Sequence, residues 1–265
     1  MDLSVIIVEY KDTEIIIPAI NSIITWCNDS TEIIVTSNSC YSDEKQADII
    51  SKFSAANFIF NSENVGFGKA CNQGILRSTG EYVLLFNPDC RMLDSSIKYA
   101  VKMMEENPYI GVIGPMIIDN AGEIQDSCRY FMTPLKLINR LLKRTFKSNT
   151  GSVLESVDTS KPQTIDWVSG ACMLVRRSAI DSAGMFDPRY FMYVEDMDWC
   201  RTFWKHNWEV WHQPLWKVEH NAGRESTTRF SIMNRLMWIH IISLVKYYAK
   251  WLFMRPKEAD QNNAS

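Results

Sequence analysis

Three short apolar runs stand out in the first third of the chain: LSVIIVEY (3–10), TEIIVTS (31–37) and EYVLLF (81–86). Each is rich in Val, Ile or Leu and shows no polar alternation. A strand with one wet face alternates polar and apolar residues, whereas a strand covered on both faces does not, so these runs predict buried parallel strands. Helix-like segments lie between them, one from about Ile15 to Trp26 and another over 70–78, which follows a glycine-containing turn and ends near Gly80. Strand alternating with helix predicts an open α/β sheet, mostly parallel, twisted and flanked by helices. Further strands are expected at 110–118 and 166–177.

In such sheets ligands sit beyond the carboxyl ends of the strands. The run Tyr82–Phe86 stops abruptly on Asn87-Pro88-Asp89. Pro88 has no N–H to continue a ladder, so the strand ends there and Asp89 stands at the rim. Two readings are open for Asp89: a ligand-binding carboxylate, or a structural residue that caps the helix expected near Asp94 or simply sits in a turn.

Two more stretches carry chemistry. FDPRYFMYVEDMDWCR (186–201) sets Asp187, Glu195, Asp196 and Asp198 among aromatic residues. An acidic pair opening a helix is favoured by the helix dipole, which is the bland reading. Apolar walls around a carboxylate also raise its proton affinity, which suits a general base. In VEHNAGRES (218–226), His220 ends a strand-like segment and is followed by Gly223 and Arg224. A lone histidine is often a hydrogen-bonded structural residue; beside a cationic turn it also suits a divalent metal and a phosphate.

The totals exclude some classes. With 265 residues, 46% of them hydrophobic, the chain can bury a substantial core, and its net charge of −3 speaks against nucleic acid as a partner. The seven cysteines are scattered and contain no C-x-x-C pair, which points to a reducing compartment rather than a disulfide framework or a structural zinc site. No secretory signal is evident at Met1–Asp2, and no apolar stretch reaches the ~18 residues of a membrane span.

Taken in order, SVIIVEYK, EIIVTSNS, NVGFGKACNQG with EYVLLFNPD, DWVSGACMLVRR, FDPRYFMYVEDMDWC and VEHNAGRES resemble the inverting family 2 glycosyltransferases of GT-A fold, and most of all their rhamnosyltransferase-like branch in bacterial surface polysaccharide synthesis. The resemblance runs from about residue 3 to residue 226. It implies an enzyme that moves a sugar, L-rhamnose from dTDP-rhamnose, onto a polyprenyl-linked glycan, with Mg²⁺ or Mn²⁺ on the donor diphosphate. It assigns the metal to Asp89 and His220, with Asn87 in the first place of the family's D-x-D element. It assigns catalysis to Glu195-Asp196, with Asp196 as base. Asn64, Gly66, Phe67 and Asn72 match the part along the donor nucleotide, Gly170 the part near donor sugar and acceptor, and Arg224 a donor contact.

Three departures fall within this pattern. Glu9-Tyr10-Lys11 replaces the family's Asn-Tyr-Asn, Ser37 followed by Asn38 replaces an aspartate that reads the pyrimidine, and Arg201 sits one place early. If Glu9 and Ser37 end adjacent strands, Glu9 restores the missing carboxylate to the nucleotide pocket, and Tyr10 either stacks on the base or belongs to the core. A UDP-hexose donor is the nearest alternative, and a nucleotide-sugar-binding subunit without turnover is the rival class.

Charge is segregated along the chain. Residues 127–154 hold six basic residues and no acid, and so does the stretch between Glu225 and Glu258; the remainder carries −15. Residues 134–146 pattern as a basic amphipathic helix whose apolar arc spans about 140°. The C-terminal stretch adds Trp238, Tyr247, Tyr248, Trp251 and Phe253, which suit an anionic membrane surface. The polar stretch 147–164 reads as a lid or a plain connection. The expected organisation is a GT-A domain over 1–226, with a nucleotide-sugar half (1–90) and an acceptor half (91–226), and a helical extension over 227–265. Its expected place is cytoplasmic, peripheral on the inner face of the membrane.

Overall fold

A computed structural model describes residues 2–131, 157–221 and 235–252. The basic stretch 134–146, the first part of 147–164, and Arg224 lie outside them. The chain runs β1 (Leu3–Glu9), α1 (Ile16–Trp26), β2 (Glu32–Ser37), α2 (Asp43–Lys52), β3 (Asn57–Phe60), α3 (Phe67–Arg77), β4 (Tyr82–Phe86), β5 (Cys90–Met92), α4 (Ile97–Glu106) and β6 (Ile110–Ile118). It continues with β7 (Cys128–Arg129), β8 (Gln163–Thr164), β9 (Trp167–Val168), β10 (Cys172–Arg176), α5 (Arg177–Ala183), α6 (Glu195–Lys205), β11 (Glu209–His220) and α7 (Arg235–Trp251).

Nine strands form one sheet in the order β3-β2-β1-β4-β10-β6-β11-β5, with β8 beside β11. β3, β2, β1 and β4 are mutually parallel; β10 lies antiparallel between β4 and β6, and β11 returns parallel to β6. Helices cover both faces. Leu3, Val5 and Ile7 of β1 join a core with α1, α2 and α4, while Ile6 points into a second core with α3, α5 and α6. Two covered faces explain why the apolar runs do not alternate. A third cluster joins Tyr190, Val194 and Met197 to Tyr247 and Trp251 of α7.

Two expectations need correction. The single strand expected over 166–177 is two, β9 and β10, interrupted at Ser169-Gly170-Ala171; β9 leaves the large sheet to pair with β7. The stretch 147–164 is no lid at its far end, because Gln163 and Thr164 pair with His212 and Trp211 of β11.

Candidate active site

The question posed by Asn87-Pro88-Asp89 is answered by a turn. Pro88 sits second in a four-residue turn closed by the Cys90 N–H on the Asn87 carbonyl at 3.0 Å, a position that suits its fixed φ. Beyond the turn, β5 pairs antiparallel with the end of β11, Cys90 opposite His220. That pairing brings His220 Nε2 to 3.3 Å from Asp89 Oδ1. His220 Nδ1 meets Gln125 Oε1 at 3.0 Å, while Gln125 Nε2 donates to the His220 carbonyl at 2.8 Å. Gln125 thereby accepts from Nδ1–H and turns Nε2 toward Asp89.

Asp89 and His220 fit a divalent cation bound to phosphate oxygens: one hard carboxylate and one imidazole oriented by Gln125, both half-buried. Cys90 shares the neighbourhood, but its thiol donates to the Ala171 carbonyl and burial holds its pKa well above the ordinary value, so it is no ligand for a hard cation.

The acidic pair lies on the other wall. Tyr193 and Val194 both have positive φ (69° and 74°), a conformation that costs energy for any side chain and most for a β-branched one. That kink starts α6 at Glu195. Asp196 is partly exposed; its Oδ2 accepts the Gly170 N–H at 3.0 Å and its Oδ1 accepts the Met197 N–H at 2.8 Å. Burial raises its pKa against the opposing pull of these two N–H groups. Glu195 is buried; its Oε2 has no hydrogen-bond partner, and burial, with the Asp196 charge second, pushes its pKa up to about 8.

Gly170 joins the walls. Its N–H holds Asp196, and the carbonyl of the next residue, Ala171, accepts the Asn87 N–H at 2.8 Å. Asp196 and the Asn87–Asp89 turn therefore flank the same break between β9 and β10. A Cβ on Gly170 would lie 3.2 Å from the Phe67 ring and 3.6 Å from Asp196 Cβ, so the break also holds Phe67 in place.

The nucleotide end differs from expectation. Glu9 and Ser37 are indeed opposite one another on β1 and β2. Glu9, however, is fully buried, and its carboxylate accepts from Ser37 Oγ (2.6 Å), Ser39 Oγ (2.8 Å), Tyr41 Oη (3.1 Å) and the Asp12 N–H (2.9 Å). No acceptor capacity is left for a base, so Glu9 knits the strand ends together instead of reading a nucleotide. Asn38 is buried too, between the Gly66 carbonyl and Asn61. Asn72 spends both ends of its amide on the Phe186 backbone, which pins α3 to the loop before α6. Gly66 (φ +88°) lies so close to Phe191 that a Cβ would come within 2.3 Å of its carbonyl. Tyr10 is 49% exposed at the end of β1, with Lys11 and Asn64 hydrogen-bonded to its hydroxyl and lowering its pKa. Of the expected donor contacts, Tyr10 is exposed and Asn64 and Phe67 are half-buried; Gln125, beside His220, is a residue that the sequence did not single out.

With this geometry in hand, comparison with known proteins is informative. The family model described as "Glycosyl transferase family 2" matches residues 4–183. An N-acetylglucosaminyl-diphospho-decaprenol L-rhamnosyltransferase of Mycobacterium tuberculosis is 28% identical over 196 residues, 67% of this chain and 64% of that protein. The chain thus spans under two thirds of that relative's length. Rhamnosyltransferase WbbL of Escherichia coli is 27% identical over 182 residues, 68% of this chain and 66% of the relative. Among solved structures, GalNAc-T7 with UDP, GalNAc and Mn²⁺ superposes with a TM-score of 0.68 at 16% identity, over 95% of this chain and 49% of that one, a likeness of fold.

Proposed function

The chain belongs to glycosyl transferase family 2, and we propose that it transfers one sugar, L-rhamnose from a dTDP carrier, with inversion to a polyprenyl-linked glycan. The observation that carries this reading is the pairing of Asp89–His220 and Asp196 on either side of the Gly170 break. Two relatives named as rhamnosyltransferases support the sugar, and the first one's name supports a lipid diphosphate acceptor.

In this reading the donor lies along Tyr10, Asn64 and Phe67 with its diphosphate at Asp89 and His220. Asp89 and His220 would hold a Mg²⁺ or Mn²⁺, which when bound would supply positive charge to the departing diphosphate. Asp196 takes the proton from the acceptor hydroxyl as that oxygen bonds to the anomeric carbon from the face opposite the diphosphate, so the anomeric configuration inverts. Burial gives Asp196 the proton affinity the step needs, and the two backbone N–H groups fix the direction of its carboxylate.

Work at the inner face of the cytoplasmic membrane follows from such an acceptor. No helix of the described residues is long and apolar enough to cross a bilayer. In the C-terminal helix Lys246 and Lys250 donate inward to the Arg189 carbonyl and Asp187, while Trp238, Ile241, Ile242, Val245 and Leu252 are exposed. We assign this apolar stripe, with Trp238 at its start, to the membrane interface.

The test is transfer from a panel of dTDP- and UDP-sugars with Mn²⁺ or Mg²⁺ to N-acetylglucosaminyl diphosphoprenol. Rhamnose transfer is expected; a UDP-hexose preference moves the donor assignment, and nucleotide-sugar binding without any turnover favours a non-catalytic subunit.

A further inference from the structure

Lys11 (φ 68°) and Cys40 (φ 56°) hold a left-handed backbone, one in the loop after β1 and the other in the loop after β2. Such a conformation costs energy in a residue other than glycine and persists only where its neighbours hold it. Both loops leave the carboxyl ends of parallel strands, where open α/β sheets bind their ligands. What holds them is Glu9. Its Oε1 accepts the Asp12 N–H at 2.9 Å from the first loop, and the Ser39 and Tyr41 hydroxyls at 2.8 and 3.1 Å from the second. Its Oε2 accepts Ser37 Oγ at 2.6 Å. Ser39 is the hub, because its Oγ donates to Glu9 and accepts the Lys11 N–H. One serine thus joins the two left-handed turns through one buried carboxylate.

Between the held residues stands Tyr10. Glu9 on one side and Lys11 on the other fix its backbone. Its phenol end is held as well: Lys11 and Asn64 bond to the hydroxyl, and the Lys11 ammonium lies 5.0 Å from the ring centre. The ring is nonetheless half exposed. A ring fixed at both ends has little freedom left to lose when a flat base packs on it, and a surface ordered in advance binds more tightly than one that must be ordered by its ligand.

We propose that Glu9 is a positioning residue for the donor: through Ser39 it clasps the loops after β1 and β2, and so sets Tyr10 and Lys11 in place for the nucleotide. The proposal rests on the glycosyl transfer reading and deepens it at the nucleotide end. The carboxylate does not touch the base; it fixes the ring that does.

The test is calorimetric binding of dTDP with Mn²⁺ to the full chain, for wild type, Ser39→Ala, Ser39→Thr, Tyr10→Ala and the Ser39→Ala/Tyr10→Ala double variant, beside donor kinetics with dTDP-rhamnose and N-acetylglucosaminyl diphosphoprenol. Ser39→Ala is expected to weaken dTDP binding about tenfold and to raise the donor KM alike, with kcat at saturating donor unchanged. Ser39→Thr keeps the hydroxyl and should recover most of the loss. Added to Tyr10→Ala, Ser39→Ala should cost little more, because the clasp acts through that ring. Ser39 is half-buried in a loop, so its variants should fold, and melting temperatures check this. If Ser39→Ala does not fold, Tyr41→Phe opens the clasp from its other side and is read in the same way. Unchanged dTDP affinity overturns the proposal. So does a loss that adds in full to that of Tyr10→Ala, or a fall in kcat that matches the rise in KM. A wild type that binds neither dTDP nor UDP overturns the nucleotide-sugar reading itself.

Discussion

Gly170 donates its N–H to Asp196 Oδ2 at 3.0 Å, from a break in the sheet whose next carbonyl holds the Asn87 N–H. Two adjacent residues, Gly170 through its N–H and Ala171 through its carbonyl, thus tie the carboxylate on one side to the turn that carries Asp89 on the other. Replacing Asp196 by Asn keeps one side-chain oxygen to accept a backbone N–H and removes the base. Turnover should fall by about 10²–10⁴-fold with nucleotide-sugar affinity little changed. Single-turnover transfer beside calorimetric donor binding checks this; equal losses in both would mean Asp196 only holds the fold.

The metal half predicts a different pattern. Asp89→Asn should abolish the rise in melting temperature that donor plus Mn²⁺ produces, and EDTA should do the same to the wild type. Gln125 touches His220 through both ends of its amide. Removing such a group typically costs 10–100-fold in metal affinity, so Gln125→Ala should shift the Mn²⁺ dependence of donor binding to higher concentration without lowering the plateau. A curve that does not move would reduce Gln125 to a packing role.

Much of this was legible in the residues. The doubly covered strands announced themselves as apolar runs without alternation, and Pro88 located the strand end beside the site. What the sequence hid was direction and occupancy. Nothing in 166–177 says that β10 runs antiparallel or that Gly170 breaks the strand, because both depend on pairing with β4, far back in the chain. Glu9 read as a nucleotide contact because its pairing with Ser37 was foreseeable, whereas Ser39 and Tyr41 closing over it was not. Helix α2 was missed although Ser42, an N-cap whose side chain accepts the Lys45 N–H, and Asp43-Glu44 after it are a start signal. Gln125 is an ordinary polar residue until tertiary contacts place it on His220.

Glu195 predicts a pH dependence of stability. Its carboxyl is buried with one oxygen unpartnered, and its pKa stands near 8 against 4.5 for the ordinary group. The folded state thus holds a proton that the unfolded state releases between about pH 4.5 and 8. The stability Glu195 contributes is full below 4.5 and declines as pH rises through 8. In Glu195→Gln this decline should be absent, so the melting temperature of the variant relative to wild type should increase from pH 5 to pH 9. Parallel curves across that range would contradict the assignment.

Gly66 allows a sharper test of the cleft floor. Its φ of +88° and the 2.3 Å gap between a built Cβ and the Phe191 carbonyl leave no room for a methyl group. The Phe67 N–H bonds to that same carbonyl at 2.9 Å, so relief by moving Phe191 would also shift Phe67 beside Gly170. Gly66→Ala should destabilise the protein by more than ~1 kcal/mol and weaken donor binding together. Loss of stability with donor affinity intact would show that the strain is absorbed away from Phe67.

The last prediction concerns why α7 is attached where it is. Lys250 reaches Asp198 at 2.6 Å and Asp187 at 3.1 Å, while Trp251 Nε1 and Tyr190 Oη complete the shell of Asp198. Asp198 is almost fully buried on α6, two residues after Asp196, so α7 supplies the cation that makes its charge tolerable there. Arg201, one turn further on, is capped by Tyr247 Oη and sits over the Trp251 ring at 4.7 Å. Deleting one partner of such a pair leaves a buried charge, at a cost of ~3 kcal/mol, whereas neutralising both is far milder. Lys250→Met should therefore lower stability by about that amount, and adding Asp198→Asn should restore part of it; denaturant melts of the two single variants and the double measure the coupling. Because Asp198 and Asp196 ride on the same first turn, Lys250→Met should also depress turnover at saturating donor, and Lys250→Arg should rescue it. If both single variants were additive in the double, the pair would be a bystander, and the helix would be held by Tyr247 and Trp251 alone.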